Sequence, residues 1–441
     1  MRDARLRRPV VDVDVAVPSG ALALARAVAD AAAGAFVELD AERGAARVIV
    51  GAARLDVSDF RAPTLAGDLV ARDFTVNAMA VDVRALLAHG RARIIDPTGG
   101  LADLAARRLR LAGKGVLADD PVRALRGVRL EVAIGLRLTP AAARATRAMA
   151  PRVADVSAER VREELLAMLA GRAGVALRRL DALGLLTVVM PEVEPMRATT
   201  QPAPHRFPVL EHSLRAVEGA DLVVATPRRL VPFGEELAAH LAQPLGGGVD
   251  RAQVLKLGAL LHDVSKPETR RLIDGRVRFF EHDILGAARA RAVGERLRLP
   301  ERAVAVLERL VRHHLRPMHL AQSGEVSARA RYRFYRDLGA DTRDLLLLTL
   351  VDAAAVTGHS PLALWPRAEL IRDLLGGFQE QRQEAAAPPL VRGDDVMERF
   401  RIPPGPAVGD LLERAREAQA LGLVHTREEA LAYLDSSRRD L

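Results

Sequence analysis

VVDVDVAV, residues 10–17, is the stretch on which the fold turns. Side chains two apart in an extended strand share a face. Asp12 and Asp14 therefore project together, while Val11, Val13, Val15 and Val17 point the other way, where they can pack on a core. Similar alternating or β-branched character returns in Phe36–Leu39, Ala46–Val50 and Arg54–Asp59, with Gly44 and Gly51 as breaks. Ala21–Ala33, rich in Ala and Leu, reads as a helix between the first two strands. From about residue 100 onward, apolar residues recur three and four apart and Pro and Gly punctuate the connections, as in helices. The expected fold is α+β: a small N-terminal sheet followed by an elongated all-α body.

Two carboxylates on one side of a strand repel each other unless a cation lies between them. Oxygen donors of this kind suit Mg2+, which fills the rest of its shell with water and phosphate. A pair of such ions can activate a hydroxyl and stabilise a leaving pyrophosphate. Asp56 is a candidate third carboxylate. The composition sets limits around this reading. Hydrophobic residues make up 49% of the 441, enough for sizeable cores, and the chain has no cysteine for disulfides or thiolate metal sites. No apolar run nears the length of about 20 residues that spans a bilayer. A cytoplasmic protein without a membrane partner is expected, and no protein partner is implied. The net charge of +8 rests almost wholly on arginine, the lysines being Lys114, Lys256 and Lys266, and arginine's planar fork suits nucleic-acid phosphates.

The surrounding motifs carry a family resemblance. Arg2-Asp3, Arg8-Pro9 and Asp12-Val13-Asp14 resemble the latter half of the first motif of the tRNA CCA-adding enzymes and bacterial poly(A) polymerases. Residues 71–80, ARDFTVNAMA, resemble the second motif of that family. Asp96-Pro97 through Gly100, then Asp103-Leu104 and Arg110, look like the segment that links catalytic and binding parts. Asp119-Asp120-Pro121-Val122-Arg123 is similar to the nucleotide-selecting motif, and Ser157 through Glu164 to the helix that follows it. Gly393 through Met397, Pro404 through Leu412 and Thr426 through Ala430 extend the match to the C-terminal end.

The resemblance implies a polymerase-β-like head and the addition of CMP or AMP to the 3′ end of tRNA from CTP and ATP. Asp12 and Asp14 would hold Mg2+, with Asp56 beside them. Arg2, Asp3, Arg72, Asp73, Asn77, Arg126 and Arg129 would contact the incoming nucleotide. Asp120 and Arg123 would select the base, and three residues apart on a helix they would share one face. The arginines between Arg107 and Arg152 would track the tRNA acceptor stem. The implied division is 1–95 head, 96–194 neck, 205–365 a third helical domain and 366–441 tail, with the proline-rich stretch 195–208 as a linker.

That third domain has its own constellation. His212, His262-Asp263 and Asp352 resemble the ligand set of the HD metal-dependent phosphohydrolases, and His282 with His313 or His314 are further candidates. Imidazole and carboxylate donors suit Ni2+, Mn2+ or Fe2+ better than Mg2+. The alternative reading is thus an HD-type phosphohydrolase acting on 2′,3′-cyclic phosphates behind a vestigial head; a non-catalytic RNA-binding protein is a third. Three departures from the family stand out. Members have a further strand and a Gly-Gly turn before Arg2-Asp3, so either a start upstream of Met1 or a truncation is expected. The span from Phe60 to Arg72 is short, as in enzymes that add part of the triplet. Ala71 and Asp119 stand where Arg and Glu are usual, which leaves CCA, CC, A and poly(A) products open.

Overall fold

The computed structural model describes every residue except Val11, 323, 325, 386, 387 and 438–441, and the side chains of 379–385 and 437 are likewise outside the described set. The expected core-facing placement of Val11 therefore lies outside the described residues. The chain divides into two compact units, Met1–Pro191 and Glu192–Leu441.

In the first unit β1 (Asp12–Val17), β2 (Ala35–Asp40), β3 (Ala45–Val50) and β4 (Ala53–Asp59) form one sheet in the order β1-β4-β3-β2. β1 runs parallel to β4, and the other neighbours are antiparallel. Helix α1 (Ala21–Ala31) covers one face. Its Ala21, Ala25 and Ala29, four apart, lie on one stripe, and their small side chains let the helix approach Ala46, Val48 and Val57 of the sheet closely. Val15 and Val17 pack against this cluster as expected, but Val13 does not: it lies ahead of the cluster and stays 50% exposed. At the end of β4, Asp59 Oδ1 accepts the Ala21 N–H at 2.8 Å, which satisfies one of the donors a helix start leaves open.

A second core seats the 71–80 motif. Helix α2 (Leu65–Val70) is capped by the Thr64 hydroxyl, and the chain then turns so that Phe74 is fully buried. A β-carbon on Gly127 of α3 (Arg123–Ile134) would lie 2.9 Å from the Phe74 ring, so the glycine lets ring and helix meet. A β-carbon on Gly100 would lie 2.1 Å from the Thr75 carbonyl oxygen; no larger residue fits there. Helix α4 (Ala158–Leu169) packs beside α3.

The second unit is mainly helical: α5 (Val209–Ala225), α6 (Gly234–Leu241), α7 (Arg251–Leu261), α8 (His282–Arg296), α9 (Glu301–His313) and α10 (Thr342–Thr357) build its body. Helix α7 is apolar around most of its circumference and nearly all buried, which makes it a central helix. Its one lysine, Lys256, keeps its charge inside by pairing with Asp221 at 3.0 Å. Gly219 lets α5 approach α10, where an added β-carbon would lie 3.2 Å from Val351. Three further helices, α11 (Gly393–Phe400), α12 (Pro406–Ala420) and α13 (Arg427–Ser437), share a separate core around Val396, Phe400, Ala415 and Leu434.

The body is not wholly helical. β5 (Arg270–Ile273) and β6 (Arg276–Phe279) form an antiparallel hairpin. Asp274 and Gly275 connect them with φ of 50° and 70°, as a two-residue turn matched to strand twist requires. The helical expectation for this stretch fails because the Asp-Gly pair overrides the apolar spacing around it.

Candidate active site and metal centre

The sheet face opposite α1 carries the carboxylates. In the register, Asp14 pairs with Asp56 and Asp56 with Arg47, so the three side chains form a row across β1, β4 and β3, with Asp12 two residues before Asp14. Arg47 donates to both Asp56 oxygens, at 2.7 and 2.8 Å. The hydrogen bond to Asp56 raises the Arg47 pKa, against burial, and the charges of Asp56, Asp12 and Asp14 raise it further. Asp56 is thus the carboxylate in contact with Arg47, while Asp12 and Asp14 act on it through their charge. Asp12 and Asp14 are themselves exposed, and this face suits a divalent ion.

A second set of side chains forms a continuous ionic chain. Asp3 accepts from Arg2 at 3.2 and 2.7 Å, and Arg2 donates to Asn77 at 2.6 Å. Asn77 donates to Asp73 at 3.0 Å, Asp73 also accepts from Arg126 at 3.2 Å, and Arg126 donates to Glu164 at 2.9 Å. Arg129 Nε lies 2.8 Å from the other Glu164 oxygen, close enough to pair although not aligned for a hydrogen bond. Burial would raise the Asp73 pKa, but Arg126, Asn77 and the Phe74 N–H together hold it below the usual carboxylate range. Arg72 turns away and donates to Asp68 at 3.2 Å.

Asp120 does not share a helix face with Arg123. Pro121 forces the preceding residue out of the helical region, so Asp120 is extended (φ −154°, ψ 93°) just ahead of α3. The turn still brings it within 3.7 Å of Arg123, and Arg160 donates to its Oδ2 at 2.7 Å. Its Oδ1 is buried without a hydrogen-bond partner. Arg123, 8% exposed, donates to the carbonyls of Ala71 and Val116 at 3.2 and 3.0 Å. Burial lowers its pKa.

In the second unit six residues converge as two ligand groups: His212, His262 and Asp352 in one, Asp263, His282 and His314 in the other. His212 Nε2 lies 3.2 Å from His262 Nε2 and 2.9 Å from Asp352; His282 Nε2 lies 3.2 Å from His314 Nε2. Asp263, a member of the second group, also approaches the first: its Oδ2 lies 3.2 Å from His262 and its Oδ1 3.4 Å from His282. The Nδ1 atoms of His262, His282 and His314 are held by the Ala259, Phe279 and Val311 carbonyls at 3.0, 2.6 and 2.7 Å, which turns each Nε2 inward. Burial would lower the His262 pKa, but Asp263 and Asp352 push it up to about 10. The same burial would raise Asp263, yet His262 and Lys266 hold it well below the carboxylate range. A pocket this demanding of positive charge, with mixed nitrogen and oxygen donors, fits a divalent metal. His314 belongs to it; His313 is in neither group.

A family model described as the poly A polymerase head domain matches residues 1–110. One described as the probable RNA and SrmB-binding site of polymerase A matches 135–197, and the HD domain model matches 209–356. The A-adding tRNA nucleotidyltransferase of Deinococcus radiodurans is 36% identical, over 96% of this chain and 90% of its own length. The chain belongs to the tRNA nucleotidyltransferase family. Within that family the CC-adding enzyme of Thermus thermophilus is 33% identical (98% of this chain, 91% of the relative) and that of Geobacter sulfurreducens 30% (98% and 89%). Among solved structures, a CCA-adding enzyme in complex with ATP superposes with a TM-score of 0.64 at 20% identity (99% of this chain, 88% of that one). The Thermotoga maritima CCA-adding enzyme with tRNA gives 0.58 at 19% (99% and 89%); both share the fold.

Some members of the site carry no sequence signal. Arg47 is hidden among many arginines until the register places it opposite Asp56. Lys266 donates to Asp263 at 2.6 Å and to Gln201 at 2.7 Å. His205 lies beside His212 with ring centroids 5.2 Å apart, and burial, Lys266 and His212 push its pKa down to about 4. Glu164, which binds both Arg126 and Arg129, was legible only as part of a helical match.

Proposed function

We propose that this chain adds CMP or AMP to the 3′ end of tRNA, without a template, from CTP and ATP. The row of Asp14, Asp56 and Arg47 across the sheet, with Asp12 beside it, is the observation that carries this reading. We assign Mg2+ to these carboxylates; when bound, it supplies Lewis-acid stabilisation of charge on the transferring phosphoryl group. Arg126 and Arg129, both paired with Glu164, are the triphosphate ligands in this proposal. Arg2, Asp3, Arg72, Asp73 and Asn77 flank the nucleotide.

Asp120 and Arg123 supply the selectivity. The unpartnered Asp120 Oδ1 accepts hydrogen bonds only, and a guanidinium only donates. Cytosine and adenine both pair an exocyclic amino donor with an adjacent ring acceptor, which this arrangement matches. Uracil and guanine reverse the order and leave both protein groups opposed. The short Phe60–Arg72 span and the A-adding and CC-adding names of the relatives support addition of part of the triplet. The test is incubation with tRNA lacking its 3′ terminus and labelled CTP or ATP, each alone. Incorporation is expected with one or both; none with either nucleotide would overturn the proposal.

A second reading concerns the HD centre, and the two neighbouring ligand groups, with Asp263 of one 3.2 Å from His262 of the other, favour it. In it, Ni2+, Mn2+ or Fe2+ is held there and 2′,3′-cyclic phosphates are hydrolysed. Loss of hydrolysis in both His262→Ala and Asp263→Ala is the expected result. We place the protein in the cytoplasm: no single described helix is long and apolar enough to cross a membrane. The division into head (1–95), neck (96–194), HD domain (205–365) and tail (366–441) is part of the same proposal.

A further inference from the structure

We propose that the outward face of the β5–β6 hairpin binds the phosphate backbone of single-stranded RNA beside the HD centre. In the ladder Arg271 stands opposite Arg278, and Ile273 opposite Arg276. Opposed residues share a face and the face alternates along each strand, so Arg271, Arg276 and Arg278 all project from one side. All three are exposed and none has a carboxylate partner among the described residues; Arg271 uses one guanidinium nitrogen on the Glu268 and Arg270 carbonyls, each at 3.2 Å. Like charges placed directly opposite each other destabilise a ladder. This hairpin carries such a pair, Arg271 opposite Arg278, and an external anion bound across it would relieve the repulsion.

The other face is partly covered along β6. Val277 and Phe279 are half-buried, and the Lys266 ammonium sits 5.5 Å from the centre of the Phe279 ring. The hairpin is also anchored to the metal centre at both ends. Lys266, shortly before β5, donates to Asp263, and the Phe279 carbonyl at the end of β6 holds His282. Phe280, 63% exposed, adds a ring on which an unpaired base can stack. Arginine forks bind phosphate in bidentate fashion, so the partner that fits is a flexible polyphosphodiester with accessible bases. The inference rests on the reading that the substrate is RNA.

The test uses the full chain and a fluorescent single-stranded RNA oligonucleotide, with anisotropy across a salt series and hydrogen exchange over residues 270–280. RNA should slow exchange in the hairpin. The triple variant Arg271→Gln, Arg276→Gln, Arg278→Gln should flatten the slope of log affinity against log salt by about 2, three phosphate contacts being lost. The corresponding triple lysine variant should restore most of that slope while the glutamine variant keeps its helix content. An unchanged slope with unchanged protection in the glutamine variant would overturn the inference. So would protection by phosphatidylserine vesicles in place of RNA, since Leu272 is 70% exposed and a membrane is the competing partner. Normal nucleotide incorporation with an unchanged slope sinks this inference alone; hairpin protection without any incorporation sinks the proposed function alone.

Discussion

Single residues separate the two chemistries. Asp12→Ala and Asp14→Ala should each reduce incorporation about 1,000-fold, because metal-based stabilisation of several kcal/mol is lost at about 1.4 kcal/mol per decade. Arg47→Gln should tighten Mn2+ binding to the head, measured by paramagnetic titration, because Asp56 now gives both oxygens to Arg47. At the HD centre the raised pKa of His262 fixes the sign of a pH effect. Its protonated form stabilises the metal-free fold fully below the unfolded value of 6.5, and that contribution fades as pH rises towards about 10. Tm of chelated protein should therefore fall between pH 7 and 10; metal-loaded protein, in which the imidazole binds as the neutral base, should hold steady. Strand parity puts Asp12 and Asp14 on one face, whereas Asp56 is only a candidate third carboxylate until the register sets it beside Asp14. Arg47, Lys266 and His205 were not legible, since only cross-strand register and tertiary packing bring them to their partners.

Elements position these groups through a few tight approaches. Gly219 brings α5 against α10, and His212 and Asp352 face each other across that contact at 2.9 Å. Gly219→Val should destabilise the HD unit by about 1–3 kcal/mol through overpacking, read by denaturant unfolding, and weaken its metal loading with it. The turn at Pro121 gives a second case. Asp120→Ala should cut selectivity for CTP over UTP by about 10- to 100-fold, the discrimination of about 1–3 kcal/mol that a good bidentate contact supplies. Helical spacing predicted the closeness of Asp120 and Arg123 but for the wrong reason, because the proline replaces a helix face with a turn. The strands and α1 emerged from periodicity to within two residues at nearly every end. The β5–β6 hairpin did not, although its Asp274-Gly275 pair was there to be read.

For the molecule as a whole, the carboxylate face of the head and the HD ligand groups lie in separate compact units. His262→Ala should leave nucleotide incorporation standing, and Asp12→Ala should leave metal bound at the HD centre, measured by elemental analysis of the purified variants. Loss of incorporation in His262→Ala protein with native helix content would show that the centres depend on each other. Order along the chain made this architecture legible: each motif is short and ambiguous alone, but head, neck and HD segments follow in the family's sequence. Gly100 carries a consequence at the genetic level. The Thr75 carbonyl occupies the place of its missing β-carbon, and every missense change to a glycine codon encodes a residue that has one. Position 100 should therefore stand as an empty column in a saturation-mutagenesis map, at the first residue of the short helix Gly100–Ala105.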